Sequence, residues 1–389
     1  MHLHHATGSR RRGDREGKQG LVDRLGLLGH APPTVARWPA VGDAAAERRR
    51  SGEFRIALCA PLRGPEGIWG PSCLASARLA QAELNRWSGI AGRPCELHIV
   101  DASEETSDIA ATLLDLVDGG QVDALVGMCI SSVRQRIVRA VGGRVPFVYT
   151  CLYEGGDHTP GLYAIGETAQ RQLQPSIAWL SERAKATRWM LVGNDYVWPR
   201  VSHDIARRSI RAAGGQVVAE TLLPFGAADY SQVVDTLRST RADAVLISMV
   251  GQDAVDFNRA FARAGLQPHA LRLSCAIEEN QLLAIGADNT EGLYVAMGYF
   301  AALETEANLA FKARYHARYA ERAPALNNLG QSLYEGMHFL AALLTDQRPG
   351  IPAQRSSARL ADGPAAQAGE SPIYLAQADG HAFRVIARF

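Results

Sequence analysis

Net charge is almost absent from this chain: 41 Lys and Arg stand against 40 Asp and Glu, leaving a formal +1 at neutral pH. Such a balance gives no reason to expect nucleic acid, a membrane surface or a highly charged substrate as partner. Long apolar runs are missing as well. No stretch of about 20 apolar residues could cross a bilayer, and no charged start leads straight into the apolar run of a secretory signal. The best candidate, Leu21 to Leu28, is broken by Asp23 and Arg24, and Arg10-Arg11-Arg12 has no apolar run behind it. The six cysteines, Cys59, Cys73, Cys95, Cys129, Cys151 and Cys275, include no CxxC pair. Scattered thiols of this kind fit buried residues in a reduced compartment, not a disulfide framework, so a cytoplasmic protein is expected.

Catalytic signatures are lacking too. There is no Walker A loop, no G-x-S-x-G elbow, no H-E-x-x-H and no Cys/His cluster with metal spacing. His2, His4 and His5 are the only grouped histidines. Gly64, Gly67 and Gly70 in LRGPEGIWGPS do not follow the G-x-G-x-x-G order of a phosphate loop. No cofactor, no metal and no enzymatic activity are expected. An α/β enzyme would need a general base in its cleft, and Asp195, Glu154 and Asp253 are the carboxylates that strand ends bring near one; capping helices or holding loops is the simpler role for each.

What the chain does contain is a change of texture. Residues 1–52 hold ten Lys/Arg against five Asp/Glu, so the remainder is mildly acidic, 31 (41 less ten) against 35 (40 less five). They have no sustained period and read as a disordered basic extension. From Glu53 apolar runs of strand length alternate with segments of helical period: strands at 54–61, 96–100, 122–128 and 145–150, with helices at 72–87, 106–117 and 133–141 between them. After a loop at Gly161 to Gly166 a second series follows, with strands at 189–192, 217–222, 242–248, 272–275 and 292–297 and helices between. The expectation is an α/β fold of two doubly wound, Rossmann-like lobes, each a parallel sheet covered by helices.

Helices at 309–323 and 331–344, a loop over 347–371 and a hairpin at 373–389 turning on Ala378-Asp379-Gly380 complete the chain. The expected division is lobe 1 from 53–165 plus 299–345 and lobe 2 from 166–298 plus 346–389, joined by a hinge of several crossings.

Open α/β sheets bind ligands at the carboxyl ends of their strands. Here those ends carry rings, hydroxyls and thiols: Cys129, Ser131 and Ser132 after the third strand, Tyr149 and Cys151 after the fourth, and Tyr196 and Trp198 in GNDYVWPR. Ser131 or Ser132 can cap the helix that follows, or meet a ligand oxygen together with free backbone N–H groups. Rings and hydroxyls without a metal or a base make a binding site.

The segments LRGPEGIWG, LVGMCISS (125–132), FVYTCLYEGG (147–156) and above all GNDYVWPR resemble the type I periplasmic-binding-protein family, which includes binders of branched-chain amino acids, urea and amides. Within it the likeness is to the cytoplasmic regulators of aliphatic-amidase expression, amide sensors that restrain an RNA-binding antitermination partner. The resemblance implies a small-molecule ligand near Ser131, Tyr149, Tyr196 and Trp198. It also departs: Cys129 stands where those regulators have tyrosine, Cys151 where they have threonine, and Trp198 replaces a second tyrosine, so hydroxyls are lost around the pocket. The output expected is a cytoplasmic sensor acting on a partner, with the receptor of an ABC permease, periplasmic or at the cell surface, as the alternative, and a homodimer is compatible with either.

Overall fold

The computed structural model describes residues 52–105, 108–344 and 372–389. The basic extension and the loop over 347–371 lie outside them. Two sheets organise the chain. The first is assembled from β1 (Phe54–Ala60), β2 (Cys95–Asp101), β3 (Ala124–Gly127), β4 (Phe147–Tyr149) and β5 (Leu162–Ala164), all parallel, in the order β2-β1-β3-β4-β5. Its helices are α1 (Gly70–Trp87), α2 (Ile109–Asp118) and α3 (Ser131–Val141). β5 falls inside the stretch read from sequence as a loop; at three half-buried residues, LYA, it is too short for a period to register.

The second sheet holds β6 (Arg188–Asn194), β7 (Gln216–Leu223), β8 (Ala244–Ser248), β9 (Leu271–Ser274) and β10 (Leu293–Met297), all parallel, extended by the antiparallel hairpin β11 (Tyr374–Asp379) and β12 (Ala382–Arg388). The order is β12-β11-β10-β9-β8-β6-β7. Its helices are α4 (Ala169–Arg183), α5 (Val197–Ala212), α6 (Ser231–Thr240), α7 (Gly251–Arg263) and α8 (Glu279–Ile285). The last long helices, α9 (Glu306–Tyr319) and α10 (Asn328–Leu344), return to the first sheet, where α10 packs on α1, β3 and β4.

Burial explains the strand sequences. The central strands ALVG and AVLIS are buried at every position, as a sheet covered on both faces demands, while the edge strand QVVAETLL has no fully buried residue. Period two sorts the inner strands of the second sheet between two cores. Met190, Val192, Val245, Ile247 and Val295 share one cluster; Trp189, Leu191, Ala244, Leu246 and Leu273 join the other, which continues into the first sheet.

Both sheets change winding direction once, between β1 and β3 and between β6 and β8. The loops leaving those four strands therefore open at a switch point, where neighbouring helices go to opposite faces. They carry Glu66 and Trp69 after β1, Cys129 and Ser131 after β3, Tyr196 and Trp198 after β6, and Gly251 and Asp253 after β8.

Candidate functional site: the junction of the two lobes

The lobes meet through these loops. Pro65–Trp69 forms a short 3-10 turn that lies against α7 and α8 of the second lobe. The indole of Trp69 donates to Oε1 of Gln281 (3.1 Å), and the Asn280 amide donates to the Ile68 carbonyl (2.8 Å). Both ends of the Gln281 amide are fixed. Its Oε1 also accepts from the Glu278 N–H (3.0 Å) in a capping box, and its Nε2 donates to the Gly251 carbonyl (3.1 Å). Asn327, at the start of α10, donates to Oδ1 of Asn280 (3.1 Å), and the Leu329 N–H donates to the Glu278 carboxylate (3.3 Å). Glu278 thus sits between the amino-terminal turns of two helices from different lobes, where helix dipoles favour a negative charge.

Gly251 is where the backbones come closest. Its φ is +57°, and a Cβ there would lie 2.0 Å from the Pro65 carbonyl oxygen. A glycine is required on both counts.

Three polar groups buried in the loops around this junction have no partner on another residue among the described ones. Glu66 is 1% exposed, and no other described residue bonds either of its carboxyl oxygens. The Ser131 hydroxyl and the Trp198 indole N–H are likewise buried without partners. Burial raises the Glu66 carboxyl to about 7; its own amide N–H opposes that, and Glu104, Asp253 and Glu105 reinforce it.

The residues expected at the ligand divide into groups. Tyr196 and Trp198 pair with ring centroids 6.4 Å apart, and Tyr196 rests on Phe225 at 5.3 Å. The Tyr196 hydroxyl is pushed well above its ordinary range, by burial first and then by Cys151, Glu66, Glu154 and Glu104, all of which belong to the first sheet's side. The phenol therefore faces across the junction. Ser131 begins α3 behind Ile130, which is extended and acts as the N-cap. Neither serine caps the helix: Ser132 donates to Glu104 (2.8 Å), and the Ser131 hydroxyl has no bond.

Tyr149 has another engagement. Its hydroxyl donates to the Cys129 carbonyl (2.7 Å), and its ring lies under the Arg134 guanidinium at 5.1 Å. Arg134 is itself paired with Glu154 (2.7 Å) and Asp157 (3.3 Å), so it ties the YEGG loop to α3. Cys129 and Cys151 are buried, and burial pushes both thiols upward, which keeps them neutral near pH 7.

The carboxylates expected near the cleft act within their own lobes. Asp195 pairs with Arg200 on the surface, Glu154 with Arg134, and Asp253 accepts from Asn194 (2.7 Å) and the Gly226 N–H (3.1 Å). Reading the sequence missed Glu66, Trp69, Glu278 and Gln281. The available signal was a glutamate and a tryptophan inside the Gly/Pro-rich segment that follows the first strand, where a turn needs neither.

The chain matches the periplasmic binding protein family over residues 53–385. Its fold is similar to that of a solute-binding protein of an ABC transporter from Rhodopseudomonas palustris HaA2 in complex with p-hydroxybenzoic acid, at a TM-score of 0.74 and 17% identity over 87% of this chain and 97% of that one. It is also similar to the branched-chain amino acid transporter substrate-binding protein LivJ of Streptococcus pneumoniae in complex with isoleucine (TM-score 0.69, 18% identity, 86% and 98% covered). An ABC transporter substrate-binding protein from Sphaerobacter thermophilus matches at 0.69 and 21% identity, with 87% and 98% covered. Two doubly wound lobes joined by repeated crossings, meeting at their switch points, and a family match over nearly the whole described chain place this protein in the periplasmic binding protein family.

Proposed function

We propose that this protein is the substrate-binding component of an ABC transporter, closing two lobes on a small polar organic molecule and presenting the closed form to a permease outside the cytoplasm. The observation that carries the reading is the junction itself, where the two lobes touch through side chains and bury Glu66, Ser131 and Trp198 with hydrogen-bonding capacity to spare. Lobe 1 comprises 53–165 with 299–345, and lobe 2 comprises 166–298 with 346–389. The ligand lies among Ser131, Cys129, Cys151, Tyr196 and Trp198, at the mouths of helices α3 and α5, whose first N–H groups favour a carboxylate or carbonyl oxygen. Contacts made to both lobes exist only in the closed form, so the ligand shifts the equilibrium by its differential affinity.

A transport receptor is preferred to a cytoplasmic amide sensor acting on an RNA-binding antitermination partner, because the solved neighbours named above are transport receptors; their ligands, a hydroxybenzoate and an amino acid, both carry a carboxylate. A thermal-shift panel of isoleucine, 4-hydroxybenzoate, urea and acetamide tests this. A ligand present at a hundred times its Kd adds about 2.7 kcal/mol of stability, a rise of roughly 5–10 °C for lobes of this size. A shift with acetamide alone, together with co-purification of an RNA-binding protein that acetamide releases, would replace the receptor by the sensor.

A further inference from the structure

We propose that Glu66 determines specificity in the cleft by serving as the counter-charge of a protonated nitrogen on the ligand, so that the site selects small organic molecules bearing an ammonium, amidinium or guanidinium group. The inference rests on the receptor reading above and narrows its ligand class.

Glu66 is placed by the contact between the lobes. The carbonyl before it and its own backbone N–H lie against Gly251 at the start of α7, so the residue is fixed where the first lobe touches the second. Its side chain is buried, and no other residue bonds either oxygen among the described residues. A buried carboxyl group in this condition is costly, and a single change to an apolar side chain would remove the cost. Retaining it makes sense when something else supplies the donors.

The surroundings specify the sign of that partner. The charged groups that weigh most on Glu66 are carboxylates: Glu104 and Glu105 from the loop after β2, and Asp253 from α7. The Tyr196 hydroxyl approaches from α5's side and is neutral. Two of the carboxylates are already engaged, Glu104 with Ser132 and Arg136, Asp253 with Asn194 and Gly226. The field at Glu66 is negative, which repels the acid end of a ligand and attracts a cation. With its carboxyl raised to about 7, Glu66 is partly protonated at neutral pH until a cation arrives and restores the carboxylate. Affinity for a cationic ligand therefore increases as pH rises through about 7.

Three matched pairs test the assignment: guanidinium against urea, acetamidinium against acetamide, and leucine against 4-methylpentanoate, with 4-hydroxybenzoate as a ligand lacking nitrogen. Binding to the full chain is measured by calorimetry at pH 8 for wild type, Glu66→Gln and Glu66→Asp. In any pair that binds, the nitrogen cation is expected to bind wild type about tenfold or more tightly, as a charge-assisted hydrogen bond provides. Glu66→Gln erases the preference, and Glu66→Asp keeps part of it and guards against a variant that fails to fold. Equal binding of both members of a pair, equal weakening of both by Glu66→Gln, or binding of 4-hydroxybenzoate alone overturns the inference and leaves the receptor standing. Failure of every probe to bind folded wild type overturns the receptor reading as well.

Discussion

Replacing Gly251 by alanine separates closure from stability. The new Cβ would sit 2.0 Å from the Pro65 oxygen and 2.5 Å from its carbonyl carbon, both backbone atoms that cannot swing aside. Reaching an ordinary contact of 3.4 Å requires the lobes to part by roughly 1.4 Å (3.4 less 2.0). That takes the Asn280 bond to the Ile68 carbonyl (2.8 Å) and the Trp69 bond to Gln281 (3.1 Å) out of range. Two bonds at about 0.5–1.5 kcal/mol each put about 1–3 kcal/mol against the closed form, which is roughly a five- to hundredfold loss of affinity for any ligand that needs closure. The substitution also strains a left-handed residue by about 1–2 kcal/mol whether the lobes are open or closed. Gly265→Ala supplies the control. Gly265 has φ +68° and nothing within 4 Å of its added Cβ, so that variant carries the strain without the clash. Both variants should melt several degrees lower, and Gly251→Ala alone should lose affinity in calorimetry and fail to compact with ligand in small-angle scattering. If Gly251→Ala binds within twofold of Gly265→Ala, closure onto the Pro65 carbonyl is not what ligand binding uses.

Tyr149→Phe should lower stability by about 1–2 kcal/mol, because the Cys129 carbonyl loses a buried donor, while affinity stays within about twofold; a tenfold affinity loss at unchanged melting temperature would instead put the hydroxyl on the ligand. Glu83, on α1, faces Arg314 (2.8 Å), Tyr334 (2.5 Å) and His338 (3.5 Å). Burial works against its charge, yet the nearby His338, the bond from Tyr334 and the Arg314 charge outweigh it and hold the carboxyl at about 2. Because the folded value lies below the unfolded one, this stabilisation is complete above about pH 4.5 and is lost as pH falls from there toward 2. Glu83→Gln should cost about 3 kcal/mol at pH 7, with denaturation curves of variant and wild type converging near pH 2; a difference that persists at pH 2 refutes the ionic account.

The fold was legible because its signals are local and repeated. Fully buried parallel strands such as AVLIS announce themselves as apolar runs, and helices such as α1 and α10 repeat their apolar residues at three and four. Helix starts were harder. α3, α5 and α7 begin at Ser131, Val197 and Gly251, two or three residues before the apolar period shows, because their first turns lie at the junction of the lobes and carry polar residues there. The site was legible only in part. Position at a strand end pointed to Tyr196, Trp198 and Ser131, but the partner of a side chain is a matter of three-dimensional contact. Nothing in the sequence tells that the Tyr149 hydroxyl is committed to Cys129, or that Glu278 and Gln281, far along the chain, meet Leu329 and Trp69.

The return of α10 to the first sheet and of β11 to the second bears on synthesis. Residues 54–164 emerge from the ribosome early, but the helix that covers β3 and β4 is translated only after the entire run from α4 to β10. The hairpin that closes the edge at β10 comes later still, its last backbone bonds joining Ile373 to Phe389. Both parallel blocks are contiguous in sequence, but β6 to β10 is made together with its helices, whereas β3 and β4 of the first sheet wait for α10, so the second block is the one expected to fold first. A nascent chain kept open in this way is expected to expose apolar surface and strand edges until α10 is made, and so to be most prone to aggregation during its own synthesis.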